Sequence, residues 1–547
     1  MNIVSLVTTV LFSTLISLNP LIPQVSNANC RDLDISFQDK KESLEQLENT
    51  NNCSECVLDK INLKDGFFID SNFSKSSLRC AIFEDVSLQG ADFSEARLED
   101  TKFLENTKLY KADFSKASLP RTVLENLDAH QANFKEANLI ESNFRGANLN
   151  RANFREAKLQ GALMDNADLR GADLNSATLT GASLKNAQFS KATKILNIKL
   201  DGANLENTDL SNHSFVNYNY ISSKYYNVSS AIGTNFNDAQ IANSHLENID
   251  FTGAKLIRAN LEKSSLKNAN LEQADLSLSN LNSTLLNGTN LNQAKFRNAS
   301  LRQAIWKNSS VEDAIFAQVN LQQAELSDLS FKNSAIINSN LSDSVIKNSQ
   351  FNNVDFTNSY FSNVNLKNVT IKNLDHQKAL LYNTNFAGAN FNQVTFKGLI
   401  LSDIDFHNSK IVKSDFSQTY LDGVNFANST LGKTSFRETN LNNAIFKDST
   451  LYGNDFTKAS LQNVNFQNAD LKGINLEKMN LENTKFKNAN LKNANLKGTD
   501  LTGADLTGVN LKGADLTGAN LTDATLNCDL TKAKSLEGVI YNERTLD

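Results

Sequence analysis

Cys53 and Cys56 stand as C-x-x-C in the stretch NNCSECVLDKINL, with Cys30 and Cys80 on either side and Cys528 far away near the C-terminus. The spacing suits a redox dithiol, half of a zinc site or a structural disulfide. A zinc site wants four ligands, and Cys30 and Cys80 are the other candidates, although sequence does not fix where they lie in space. Four N-terminal cysteines allow three connectivities. For an exported chain a structural disulfide among Cys30, Cys53, Cys56 and Cys80 is the expectation, ahead of free buried thiols and ahead of metal or redox chemistry.

The five histidines are His130, His213, His245, His376 and His407. His213 and His376 fall on inward phases of the repeat described below and read as a local bulge or a buried neutral imidazole with a backbone partner. His245 and His407 read as solvated. Carboxylate pairs such as Asp403 and Asp405 come free with alternating polar residues on an exposed ledge. No Gly-rich phosphate loop, nucleophile elbow or metal-ligand cluster is visible. The sequence therefore predicts no enzyme, no cofactor and no metal.

What positions these residues is a five-residue beat. From residue 491 to 526 every fifth residue is leucine, from Leu491 and Leu496 to Leu521 and Leu526, with a small residue two positions earlier, as in Ala504, Ala514, Ala519 and Ala524. Five residues rotate a helix by about 500°, so the stripe would drift off any face. A strand of period two fails as well. A short straight segment and a corner, repeated, keeps the fifth residue pointing into a shared core, which is a solenoid.

The beat begins at Cys53 and Leu58 and runs with Phe, Leu and a few variants to Phe103. It slips near 104–108, near 190–199 and near 226–235, and from Phe236 to Leu526 its phase never breaks, with 58 of 59 central positions apolar and His376 the exception. Phenylalanines stand at every tenth residue from Phe386 to Phe466, and the centres between them from Leu401 through Ile411 to Leu461 are aliphatic. Four pentads per coil would stack Phe on Phe and Leu on Leu along opposed faces, filling each layer evenly. On that count about 23 coils at ~4.8 Å make a rod of roughly 110 Å.

Charge is unevenly placed. Residues 30–110 hold 17 acidic and 10 basic residues, whereas residues 111–547 hold 43 and 44. The body carries no basic footprint for nucleic acid. At the N-terminus, residues 3–18 form an apolar run followed by Ser26 and Ala28 at the positions where a signal peptidase wants small side chains. A cleaved secretory signal over 1–28 is the expectation, with an uncleaved membrane anchor as the alternative. Ile35, Leu44 and Leu47 among charges predict a short amphipathic helix over 35–48, capping the solenoid's open end.

The stretch from His213 to Phe236 contains Tyr218, Tyr220, Tyr225 and Tyr226 and coincides with a slip. It reads either as a distorted coil whose tyrosines replace leucine or as a protruding loop that contacts a partner. The organisation expected is a signal peptide (1–28), an N-terminal capping helix segment (29–52), two β-helical parts (53–210 and 236–526) separated by an irregular Tyr-rich segment (211–235), and a C-terminal cap (527–547).

The units Ala-Asp-Leu-Thr-Gly (504–508), Ala-Asn-Leu-Thr-Asp (519–523) and Ala-Asn-Phe-Arg-Glu (152–156) resemble the A(D/N)LXX repeat of the pentapeptide-repeat family, over nearly everything from 53 to 546. The resemblance implies an all-β, right-handed, quadrilateral β-helix with the central residue and the preceding small residue inside. The helix followed by C-x-x-C and Val57-Leu58 is similar to the N-terminal arrangement of such proteins from photosynthetic bacteria. Some family members resemble B-form DNA and bind DNA gyrase; the family does not imply one activity. A mimic of DNA needs negative potential along its body, which this charge balance does not supply. The function expected is a non-enzymatic structural or protein-interaction rod in the periplasm, thylakoid lumen or extracellular space, with an unidentified protein partner, no nucleic acid and no membrane span once the signal is removed. DNA mimicry directed at gyrase or another DNA-binding protein is the alternative.

Overall fold

The computed structural model describes residues 30, 33, 36–219, 224–226, 229–361, 363–367, 369–372, 386–401 and 404–545. The apolar run 3–18, the cleavage position at Ala28, Ile35, Tyr220, His376 and Asp403 lie outside these residues.

Among the described residues, nearly every pentad turns its central residue and its small residue inward. Phe134, Leu139, Phe144 and Leu149, with Ala132, Ala137 and Ala147, are all fully buried. Hydrophobic burial of these two positions, pentad after pentad, is the main driving force. The straight part of each pentad pairs in parallel with the next coil, as Asn133 with Asn153 and Asn138 with Lys158. The register is 20 residues over most of the chain, so one coil takes four pentads, and the protein is a parallel β-solenoid.

The corner has a defined conformation. The residue two after each centre has positive φ, for example Lys75 and Lys116 at 57° and Gln131 at 60°. The N–H of the following small residue then donates to the central carbonyl, as Ala96 to Phe93 and Ala137 to Phe134, each at 3.1 Å. That is a type II turn, which asks for a left-handed residue at its third position. Asn, Asp and Gly tolerate it most easily. At Gly288 the Asn268 side-chain oxygen occupies the space a Cβ would need.

The preference for Asp or Asn before each centre has a physical cause. Asn133 accepts the N–H of Lys135 on Oδ1 (3.3 Å) and donates from Nδ2 to Asp113 of the preceding coil (3.0 Å). Asn153 in turn donates to Asn133 (2.9 Å). The carboxamide thus closes a local Asx turn and joins two coils at once. An ionised carboxylate can only accept, so Asp sits at the receiving end: Asn148 donates to Asp128, Asn490 to Asp470 and Asn520 to Asp500.

Aromatic rings form two columns. Phe386, Phe406, Phe426, Phe446, Phe466 and Phe486 stack at 5.0–5.4 Å. Phe396, Phe416, Phe436 and Phe456 make the second column at 4.8–5.4 Å, and the columns meet edge to face, as Phe416 with Phe426 at 6.2 Å. Offset or edge contacts of this kind add to area burial. Upstream, Phe73, Phe93, Phe114, Phe134 and Phe154 repeat the arrangement.

Where the small inward residue is Ser or Thr, its hydroxyl is buried but not wasted. Ser339 Oγ accepts the Val319 N–H (3.2 Å) and lies against the carbonyls of Ile337 (2.8 Å) and Phe316 (3.2 Å). Replacing Ser339 with alanine is expected to cost ~1–3 kcal/mol, because it leaves the Val319 N–H buried without its acceptor. The same change at Thr122, whose hydroxyl only donates, to the Leu98 carbonyl (2.9 Å), should cost less. Denaturant melts of the two variants check the ranking.

Extended strands appear where the residue before the centre is mostly not Asn or Asp. Residues Ile305–Lys307, Glu325–Ser327, Val345–Lys347, Asn365–Lys367, Asn390–Asn392, Lys410–Val412, Thr430–Gly432 and Thr450–Tyr452 form an eight-stranded parallel sheet. β-Branched and charged residues there do not close the local Asx turn and leave the segment extended, with Asn365 and Asn390 as exceptions. Near the N-terminus β1 (Asn62–Lys64), β2 (Ile82–Glu84) and β3 (Lys102–Phe103) form a three-stranded sheet.

The chain divides into two compact units, residues 1–209 with 226–235, and residues 210–225 with 236–547. In the first, the slips show as altered register. Ser87 pairs with Lys108 and Thr178 with Lys199, one residue beyond the usual partner, while Lys199 pairs with Ser230 and Asn204 with Asn235, a step of 31 residues. In the second, Asn365 pairs with Asn390 and Phe361 meets Phe386. One extra pentad therefore lies in that coil, and the uniform four-pentad count expected from the unbroken phase does not hold. A whole-pentad insertion keeps every central residue in phase, which is why counting centres missed it.

At the C-terminal end the ladder continues through Asp515–Ser535 and Asn520–Ile540. The Asp515 carboxyl is held down to about 2 by the Thr517 hydroxyl, then by the Thr517 N–H, Lys534 and Lys497. A carboxylate whose folded value lies below its ordinary ~3.9 stabilises the fold above that value, and the contribution is lost as pH falls from about 4 through 2. Asp515→Asn should flatten the acid side of the thermal-stability profile in this window, lowering stability near neutrality while converging on the unaltered protein as pH falls toward 2.

Candidate functional site

The N-terminal end is covered by α1 (Phe37–Thr50). Ser36 caps it, accepting the Asp39 N–H at 3.1 Å, and Asn51 closes it in the left-handed conformation with its N–H on the Leu47 carbonyl. Leu47 is buried, and Cys53 Sγ lies 3.2 Å from the Ser43 carbonyl oxygen. The helix starts and ends close to the segment read from sequence, with Leu44 half-buried and Leu47 the residue that packs inward.

The cysteines meet in two pairs. Cys30 bonds to Cys80 with Cα atoms 6.0 Å apart, and Cys53 to Cys56 with Cα atoms 5.2 Å apart. Cys53 is the centre of the first pentad and Cys56 the small residue ahead of the next centre, Leu58; they are 0% and 6% exposed, whereas Cys30 and Cys80 are half-buried. Asp100 is the one further metal-type ligand close to Cys30 and Cys80 among the described residues, and its carboxylate is taken by Arg121 through two bonds of 2.7 Å. Cys528 is a half-buried free thiol, pushed up by burial and by Asp529.

An ion pair with a buried carboxylate joins the first two coils and is not evident from any motif. Asp59 is fully buried and accepts the Ser77 hydroxyl, the Arg79 N–H (both 2.7 Å) and the Arg79 guanidinium. Next to it Lys60 Nζ donates to the Leu33 carbonyl at 2.8 Å. The signal that could have found the pair is opposite charge at one-coil spacing. It recurs as Lys64–Glu84, Asp238–Arg258 and Glu312–Lys332.

In the Tyr-rich interruption, β4 (Asn217–Asn219) and β5 (Lys224–Tyr226) pair with each other outside the coil ladder. Ser214 still pairs with His245, and Ser230 is back in register with Lys199, so the interruption is confined between them. Tyr218 lies on β4, Tyr225 and Tyr226 on β5; their side chains, like Tyr220 as a whole, are outside the described residues.

The histidines lie apart. His130 stacks on Tyr110 at 4.1 Å and meets Asp128 at 2.6 Å. His213 is buried, with Nδ1 3.0 Å from the Ser211 carbonyl. His245 stands beside Glu247 and His407 beside Asp405. Apart from buried His213, each contact is a local pair on a coil surface, and the structure does not bring these imidazoles to one cleft. Shallow grooves between coils mix signs: Lys135, Arg151, Arg155 and Lys194 share one with Glu156 and Asp173. Among the described residues no helix is long and apolar enough to cross a membrane.

Stacked twenty-residue coils with inward Leu or Phe, small inward partners and Asx-closed segments define the class as a pentapeptide-type parallel β-solenoid. The family model described as pentapeptide repeats (8 copies) matches residues 52–90, 68–103, 88–126, 104–135, 132–171, 157–193 and 489–534. One described as a pentapeptide repeat region matches 230–296, 304–381, 375–446 and 421–496. The chain belongs to the pentapeptide-repeat family. Among solved structures it is similar to HetL, a pentapeptide repeat protein involved in heterocyst differentiation regulation from the cyanobacterium Nostoc sp. strain PCC 7120. The identity is 23% over 48% of this chain and 95% of that one, with a TM-score of 0.26. QnrB1, a plasmid-mediated fluoroquinolone resistance protein, is 16% identical over 48% of this chain and 91% of that one, with a TM-score of 0.19. A pentapeptide repeat protein from the Arabidopsis thaliana thylakoid lumen, AT2G44920, is 33% identical over 19% of this chain and 65% of that one, with a TM-score of 0.08. Comparison with curated protein sequences finds no match.

Proposed function

We propose that the protein is a non-enzymatic β-solenoid that acts outside the cytoplasm as a structural or protein-binding element. The observation that carries the location is the bonding of four N-terminal cysteines in two pairs, since such bonds persist in oxidising compartments and not in a reducing cytosol. The apolar segment 3–18 followed by Ser26 and Ala28 supports the same reading. The non-enzymatic reading is supported by the dispersal of histidines and carboxylates into local pairs, without, among the described residues, the convergent nucleophile, base and oxyanion donors that catalysis needs. Paired surface charges such as Asp100–Arg121 and Asp168–Arg170 favour protein contact over DNA mimicry, which needs unbalanced negative potential.

The partner contact is assigned to the interruption at Tyr218, Tyr220, Tyr225 and Tyr226, where a strand pair leaves the ladder and aromatic residues concentrate. Fractionation of the native cell with thiol alkylation before and after reduction tests the location. The protein should sit outside the cytoplasm, begin near Asn29 and resist alkylation of its N-terminal cysteines until reduced. A cytosolic protein with free thiols overturns the reading. Cross-linking followed by mass spectrometry identifies the partner, and changing all four tyrosines to serine should abolish its capture while leaving the coils folded.

A further inference from the structure

We propose that the two cysteine pairs form a nested redox latch on the N-terminal end: the accessible Cys30–Cys80 bond must open before the buried Cys53–Cys56 bond can be reached. The proposal rests on how the cysteines are paired and covered, not on where the protein works.

The outer bond ties Cys30, ahead of α1, to Cys80 at a corner of the second coil, across 50 residues of chain. Both its cysteines are half-buried and face the surface in part. The inner bond spans three residues, and Cys53 is shut beneath α1, with its sulfur against the Ser43 carbonyl. Two further contacts hold this end, Lys60 to the Leu33 carbonyl and Leu47 of α1 packed inward. The other route to the inner pair, from above, is closed by the second coil, where Phe73 and Leu78 are fully buried. Access therefore runs through displacement of α1, and the outer bond is the covalent restraint on that displacement.

The chemistry is thiol–disulfide exchange with a dithiol reductant, either a small dithiol or a C-x-x-C oxidoreductase. One reductant thiolate attacks the Cys30 or Cys80 sulfur, forms a mixed disulfide and expels the other cysteine as thiolate, which takes up a proton. The second reductant thiol closes on the mixed disulfide and releases the remaining cysteine. Two electrons and two protons pass to the protein, and the reductant leaves as its disulfide. The same exchange at Cys53–Cys56 follows once α1 lifts. Its release uncovers the edge of the first coil, where among the described residues Cys53, Leu58 and Leu63 have no coil beneath them, so the latch governs exposure of an unpaired strand edge.

The test uses the full oxidised chain with Cys528 blocked by alkylation. Dithiothreitol is added at fixed pH, thiols are trapped at intervals with a second alkylating reagent, and each cysteine is read by peptide mass spectrometry. Cys30 and Cys80 should be trapped at least ~10-fold faster than Cys53 and Cys56. In a Cys30→Ser, Cys80→Ser variant, trapping of Cys53 and Cys56 should accelerate by ~10-fold or more, and amide exchange over 37–50 should rise while that over 133–186 stays unchanged. Equal rates for the two pairs in the unaltered chain overturn the proposal and require no variant. So does an inner pair that reduces as slowly in the variant as in the unaltered chain.

Discussion

Replacing Phe426 with alanine is expected to cost ~3–5 kcal/mol, the range for emptying a buried aromatic site that cannot collapse. Phe426 is fully buried, stacked between Phe406 (5.1 Å) and Phe446 (5.0 Å) and touched edge-on by Phe416 and Phe436. Its neighbours are pinned by inter-coil hydrogen bonds, among them Phe426 N–H to the Ile445 carbonyl at 2.7 Å. The backbone therefore cannot move in to fill the hole. Because a stack of coils opens locally rather than all at once, the loss should appear as lowered amide protection over the flanking coils more clearly than as a shift of one global midpoint. Phe426→Leu, which refits the aliphatic size used on the alternate faces, should recover about half of the loss. A cost under ~1 kcal/mol for the alanine would contradict a tightly packed column.

The second large effect is expected at Asp59. Its carboxylate, fully buried, satisfies a hydroxyl, a backbone N–H and a guanidinium. Asp59→Ala leaves all three without an acceptor, and removing one member of a buried pair commonly costs 3–5 kcal/mol. The Arg79 side chain is 24% exposed and can turn toward water, which lowers the expectation to ~2–4 kcal/mol. Asp59→Asn keeps an acceptor for Ser77 and the Arg79 N–H, and should cost ~1–2 kcal/mol. Hydrogen exchange over 53–103, compared between the two variants, separates the lost charge from the lost hydrogen bonds.

Much of the fold was legible in the sequence because one rule governs it. Phe386 through Phe466 at every tenth residue required Phe to stack on Phe, and the rings do stack at one-coil spacing. What the pattern could not carry is length per coil. Leu104 and Glu105 visibly shift the beat, but the added pentad ahead of Phe386 does not, since five more residues return every centre to the core. The corner conformation was also hidden, because Lys75, Glu95 and Gln131 adopt a left-handed turn that their residue types do not announce. Of the N-terminal end, a short amphipathic helix followed from Ile35, Leu44 and Leu47 among charges, but not which of them packs inward, and the pairing of Cys30 with Cys80 did not follow from spacing. Asp59 looked like any exposed polar residue, and only its distance of one coil from Arg79 could have marked it.

The added pentad has a consequence for how such a chain can change. Inserting a single residue, as near Leu104, must be absorbed by a bulge within one coil. Inserting five costs the core nothing in phase but re-indexes the sides: whatever follows is handed on by one quarter of a turn. In the pairing of Asn365 with Asn390, one outward row of side chains is continued by a row that, by sequence alone, belonged to its neighbour. Whole pentads are thus the currency in which this molecule can be lengthened, and each one added or removed re-deals its surface while the interior stays as it was.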